Sequence, residues 1–92
     1  MRVEWARRAT LDLKGISEHI ERDRNIETAN RVTRIIFDTV QSLAAMPYRG
    51  RPGQIENTRE LVIPGLPYVV IYRVSKDHVG IARVLHGAQK RV

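Results

Sequence analysis

The chain has 92 residues, a formal net charge of +6 and no cysteine. That length fits one domain, residues 1–92, with a modest core, and the lack of cysteine excludes a disulfide framework and a thiolate zinc site. No run approaches the roughly 20 apolar residues of a membrane span, and the first ten residues hold no signal-peptide stretch, so the expectation is a cytoplasmic protein.

The first element is Arg2-Val3-Glu4-Trp5. Val3 alternates with charged neighbours, which predicts a short strand. A first helix is expected over 10–22, with Thr10 as N-cap and Asp12 favouring the dipole from the first turn. Leu13, Ile16 and Ile20 make one apolar stripe. Gly15 weakens this helix or permits a close helix–helix approach. Asp23-Arg24-Asn25 reads as the break.

A second helix is expected over 26–45, capped by Asn25, with Glu27 in its first turn. Ala29, Val32, Ile36, Val40 and Leu43 recur at helical spacing, and Ile35 and Phe37 widen the face. Pro47 ends it, because the residue before a proline avoids the α region. Two amphipathic helices with a short break predict an αα-hairpin. The stretch 47–57 carries two Gly, two Pro and two Arg and reads as a loop.

Residues 58–63, 67–75 and 78–85 are rich in Val, Ile and Tyr, which suit strands. Pro64-Gly65 has the residues of a type II turn at its two central positions. Lys76-Asp77 joins the second strand to the third. The expected architecture is α+β: a short N-terminal strand, an antiparallel helical hairpin, then a three-stranded antiparallel meander, β-α-α-β-β-β. In the second strand Tyr68, Val70, Tyr72 and Val74 share one face, and Val69, Ile71 and Arg73 the other. In the third, Val79, Ile81, Arg83 and Leu85 share one face, and Gly80, Ala82 and Val84 the other. Neither face is cleanly polar. Helices are expected over one; the other meets a partner, forms a concave site, or is covered by the chain's own edges and tail.

The charge is uneven. Residues 1–46 hold eight Lys/Arg against seven Asp/Glu, a net of +1; residues 47–92 hold eight against three, a net of +5. A basic half attracts polyanions or an acidic partner, or is simply a solvated surface. Thirteen of the sixteen cations are Arg, the better side chain for bidentate contact with phosphate or carboxylate. The aromatics Trp5, Phe37, Tyr48, Tyr68 and Tyr72 look too scattered for a stacking platform, so a nucleic-acid-binding module ranks last among the readings.

From Gly50 to Gln89 the chain reads GRPG, NTRELVI, PGLPYVVIYRV, a turn with Asp77, then VGIARVLHGAQ. This ordered set resembles the ParE/RelE toxin superfamily, closer to ParE and the plasmid stabilisation toxins than to RelE. Arg-Glu-Leu at 59–61, Pro-Tyr at 67–68 and Arg-Val-Leu-His at 83–86 carry most of the likeness. The resemblance implies a small sheet with a helical hairpin packed on it. It implies a toxin of a type II toxin–antitoxin system, neutralised by a cognate ParD-like, ribbon-helix-helix antitoxin in a hetero-oligomer. The target implied for a ParE-like member is DNA gyrase; for a RelE-like member it is mRNA on the ribosome. No cofactor or metal is implied.

A RelE-like nuclease would use Arg59 and Arg83 on the phosphate and His86 as acid or base, with Arg73 a further candidate. Against it, none of Lys14, Lys76 and Lys90 lies just before Arg59, where the resemblance would place one. Arg83 and His86 also have opposite strand parity, so they face apart unless a bulge intervenes. A His at a strand end or an Arg paired within the fold are the structural readings of the same residues. For gyrase poisoning the candidate target-binding residues are Arg49, Arg51, Lys90 and Arg91, which otherwise read as solvated charges. The candidate antitoxin-binding residues are Leu13, Ile16, Ile20, Ile35, Phe37 and Arg73. The helical positions among them, with Leu11, exceed what one sheet face needs, as in helix-in-groove recognition, and the basic second half suits acidic antitoxin residues.

Overall fold

The N-terminal strand sets how the first helix begins. In the computed structural model, which describes residues 1–87, β1 (Arg2–Trp5) leads into α1 (Arg7–Asp23) through Ala6 alone. The Ala6 N–H donates to Ile81 O at 2.9 Å, and Ala6 O accepts from Thr10 N at 3.1 Å. Strand pairing therefore delivers the chain directly into the helix, which starts three residues before the expected Thr10 cap. Ala6 caps it without a side-chain bond, and Asp12 lies beyond the first turn.

The second helix, α2 (Ile26–Gln41), has the expected cap: Thr28 N donates to Asn25 Oδ1 at 2.7 Å. It ends earlier than expected, in a 3-10 turn over Ser42–Ala44. Thr39 Oγ1 donates to Ile35 O and Ser42 Oγ to Thr39 O. Such hydroxyls compete for carbonyls near a helix end, so the tightening precedes Pro47.

Four more strands follow: β2 (Arg51–Pro52), β3 (Arg59–Val62), β4 (Tyr68–Val74) and β5 (His78–His86). The sheet order is β1-β5-β4-β3-β2. The expected antiparallel meander is present, but the sheet is mixed, because β1 runs parallel to β5. The loop 47–57 is not wholly irregular, since Arg51 and Pro52 pair with Glu60 and Arg59. Gly65 adopts φ +73° and Leu66 N donates to Ile63 O, the type II turn that Pro64-Gly65 predicts.

The hairpin covers one face. Val32, Ile36, Val40 and Leu43 pack against Val70, Tyr72, Val79, Ile81 and Val84. Val69, Ile71 and Leu85 form a smaller cluster. On β4 the expected division between faces holds. On β5 it breaks at a bulge: Tyr72 pairs with Ile81, whereas Ile71 pairs with Arg83. Ala82 is the extra residue, and it reverses the alternation beyond it. Val84 therefore joins the main core and Leu85 the smaller cluster, the reverse of simple alternation. Among the described residues no helix is long and apolar enough to cross a membrane.

Candidate functional site

Two clefts open at opposite ends of β4. The first, about 520 Å³, lies between α1 and the last residues of β5, beside Tyr68. Gly15 lines it, and a Cβ there would meet nothing within 4 Å. Gly15 thus widens a cleft and does not bring two helices together.

Within this cleft Arg83 is closed by Asp12. Arg83 Nε donates to Asp12 Oδ2 at 2.7 Å and Nη2 to Oδ1 at 3.0 Å, while Val84 N donates to Oδ2 at 3.0 Å. The carboxylate satisfies a backbone donor of β5 just past the residues that β1 pairs. The hydrogen bond with Asp12 raises the Arg83 pKa above its ordinary value, burial opposing it. Asp12 thus joins helix to sheet and does not serve the helix dipole. Its partner lies 71 residues away, so no local pattern announces it.

His86 stands across from Tyr68, with ring centroids 6.0 Å apart and an edge-on angle of 81°. Arg83 and His86 both line this cleft, although parity alone separates them. The physical reason is Asp12, which draws the Arg83 guanidinium to the α1 side.

The second cleft, about 460 Å³, is lined by Tyr48, Asn57, Arg59, Arg73 and Ser75, among others. Tyr72, fully buried in the main core, ties down the loop beside it: the hydroxyl donates to Pro47 O at 2.9 Å and accepts from Gly50 N at 2.8 Å. That fixes the loop to which Arg59 attaches. Arg59 Nη1 donates to Gly50 O at 2.7 Å, and its guanidinium lies 4.9 Å from the Tyr48 ring centroid. Arg73 makes no side-chain hydrogen bond or ion pair among the described residues. It also borders a depression of about 340 Å³ beside Gly80 and Ala82.

The nuclease candidates are therefore divided: Arg59 lines one cleft, Arg83 and His86 the other. Arg49 Nη1 donates to Ser42 Oγ at 2.7 Å. Arg51 Nη2 reaches Glu60 Oε1 at 3.2 Å, a buried carboxylate that also accepts from Gln54 N. Lys90 and Arg91 lie outside the described residues. Leu13, Ile16, Ile20 and Ile35 are half-buried against the main core. Phe37 is 45% exposed and stacks on Trp5 at 6.3 Å between centroids. Sequence reasoning missed Asp12, Glu60 and Tyr72, which hold the arginines and the loop in place. No group of His, Asp and Glu among the described residues is gathered to hold a metal ion.

The fold has counterparts among known proteins. A family model described as the ParE toxin of the type II toxin–antitoxin system parDE matches residues 3–91. A protein of Sinorhizobium fredii (strain NBRC 101917 / NGR234) named as a candidate toxin, Y4kP, is 43% identical over 89 residues, covering 97% of this chain and 91% of that one. A solved structure of the chromosomal ParDE toxin–antitoxin system from P. aeruginosa matches with a TM-score of 0.86 and 27% identity, over 94% of this chain and 95% of that chain. With its strand, hairpin and meander in the same arrangement, this chain belongs to the ParE family of toxins of type II toxin–antitoxin systems.

Proposed function

We propose that this toxin inhibits growth by binding and poisoning DNA gyrase, and that a cognate ParD-like, ribbon-helix-helix antitoxin neutralises it. One observation carries the choice of target: the nuclease candidates do not converge. Metal-free RNA cleavage needs a base, an acid and phosphate-binding cations around one scissile phosphate. Here Arg59 lines one cleft and Arg83 another, and Arg83 is engaged by Asp12. A gyrase poison needs only a binding surface. Arg49 and Arg51, on the loop beside the second cleft, are the candidates for that surface among the described residues, and Lys90 and Arg91 are candidates from the sequence alone.

For the antitoxin, the exposed Leu11 and Phe37 and the half-buried Leu13, Ile16, Ile20 and Ile35 offer the hairpin as a docking face; Arg73 lies on the opposite sheet face from it. Complex formation should slow amide exchange in α1 and α2; unchanged exchange in both would remove the hairpin from the interface.

A ribosome-dependent mRNA endonuclease is the second reading. It is favoured by the shared cleft of Arg83, Tyr68 and His86. The deciding experiment runs gyrase supercoiling and mRNA cleavage on translating ribosomes side by side. Lost supercoiling or trapped, linearised plasmid with intact mRNA is the expected result. Codon-positioned mRNA cuts with normal supercoiling would replace the gyrase reading with the second one.

A further inference from the structure

Five arginines sit on strands: Arg2, Arg51, Arg59, Arg73 and Arg83. Four are engaged, by Glu4 and Asp77, by Glu60, by Gly50 O and Tyr48, and by Asp12 respectively. Arg73 is exposed and makes no such contact among the described residues. It lines the second cleft together with Arg59, and no Asp or Glu among the described residues lines that cleft, although Glu4 lines the depression on the other side of Arg73. Tyr48, 64% exposed, forms part of its wall with Arg59 stacked against the ring. Asn57 and Ser75 add an amide and a hydroxyl.

This combination has a definite chemistry. Guanidinium groups grip phosphodiester oxygens through paired N–H donors, and Arg59 keeps further donors beyond the one given to Gly50. An exposed aromatic ring beside them takes the face of an unpaired base. A carboxylate-bearing peptide would use the arginines but has no need of the Tyr48 ring. The fold thus gathers an aromatic and two cations that are 25 residues apart at the extremes of the sequence segment Tyr48 to Arg73.

We propose that the cleft of Tyr48, Arg59 and Arg73 is a nucleic-acid contact, gripping a phosphodiester with the guanidiniums and an unpaired base with Tyr48. The setting rests on the gyrase reading, in which the DNA that gyrase handles is the natural ligand. The contact itself is measured without gyrase.

The test is fluorescence anisotropy of a labelled single-stranded DNA of about twelve nucleotides, a length within the usual site sizes of such grooves. The full chain is compared with Arg73→Ala, Tyr48→Ala and Arg31→Ala, an exposed α2 position outside the cleft; melting curves confirm that each is folded. Arg73→Ala should weaken binding roughly 5-fold and lower the slope of log K against log salt by about 0.7. Tyr48→Ala should weaken it about 5-fold or more with little change of slope. Arg31→Ala should do less than either. Equal losses at Arg73 and Arg31, or none at Arg73 and Tyr48, would overturn the proposal. So would a variant Arg73→Ala that keeps DNA affinity but escapes antitoxin neutralisation, which would give the cleft to an acidic protein partner. A toxin that leaves gyrase unaffected yet binds DNA through Arg73 and Tyr48 would break the gyrase reading and uphold the cleft.

Discussion

At one end of β4, beside Tyr68, an arginine from the neighbouring strand is closed into the fold by a carboxylate and a backbone donor shares that carboxylate. At the other end, beside Val74, Arg73 stands exposed between a cleft that holds Arg59 and Tyr48 and a depression that Glu4 also lines. The two ends are about 20 Å apart along the strand. Both arginines occupy similar strand surroundings in sequence, yet one joins α1 to β5 and the other is left exposed. The difference teaches that the residue type says little about an arginine's task; the groups that meet it decide.

The comparison can be broken at its closed end. Asp12→Ala strands a partly buried guanidinium and leaves Val84 N–H without its acceptor. Because Arg83 is about a third exposed, water softens the loss, and the expected cost is about 2 kcal/mol. That corresponds to a fall in melting temperature on the order of 10 °C for a domain of this size. Asp12→Asn, which keeps an acceptor for Val84, should recover part of it. A melting temperature unchanged in Asp12→Ala would show that this contact does not join helix to sheet.

The open end is loosened by Tyr72→Phe, which removes the donor to Pro47 O and the acceptor of Gly50 N. The expected cost is about 1–2 kcal/mol in denaturant titration, with faster amide exchange at Gly50. No change in either would mean that the loop beside the second cleft is held by Arg59, the Glu60 contacts and the β2–β3 pairing without the tyrosine hydroxyl.

A smaller change of opposite sign comes from Gly15→Ala. The position is helical, and an added methyl meets open space. Stability should rise by up to about 1 kcal/mol, a shift of a few degrees in melting temperature. A fall would show that the first cleft is narrower than its geometry.

The smallest effect lies at the β4–β5 turn. The hydrogen bond from His78, and then the charge of Arg2, hold the Asp77 carboxyl below its ordinary pKa. A depressed carboxylate contributes stability above its unfolded pKa and loses it as pH falls through the folded value. The melting-temperature difference between the wild type and Asp77→Asn should therefore be small near neutrality, begin to shrink as pH falls toward about 4, and vanish only below the depressed folded value. A difference that grows on acidification contradicts the assignment.

Much of the fold was legible locally. The apolar spacing of Val32, Ile36 and Val40, the Asn25 cap and the Pro64-Gly65 turn each act through a few neighbouring residues, and each appears where its chemistry places it. Boundaries shifted where a distant partner intervened, as at Ala6, which Ile81 holds. The site was less legible. Arg59, Arg73, Arg83 and His86 stood out by type, but their division between two clefts depends on a bulge at Ala82 and on Asp12. In sequence Tyr48 is one scattered aromatic among five; its place beside Arg59 depends on Tyr72, which ties down the loop at 47–50.

By itself the sequence determined the order of elements apart from β2, the cap of α2, the type II turn, the basic second half and the likeness to the ParE/RelE superfamily. These follow from short-range sterics, periodicity and composition. Only the tertiary structure decided that β1 lies parallel to β5, that Asp12 closes Arg83 and that Arg73 remains open. Each of those depends on groups brought together from far along the chain, where local rules have no reach.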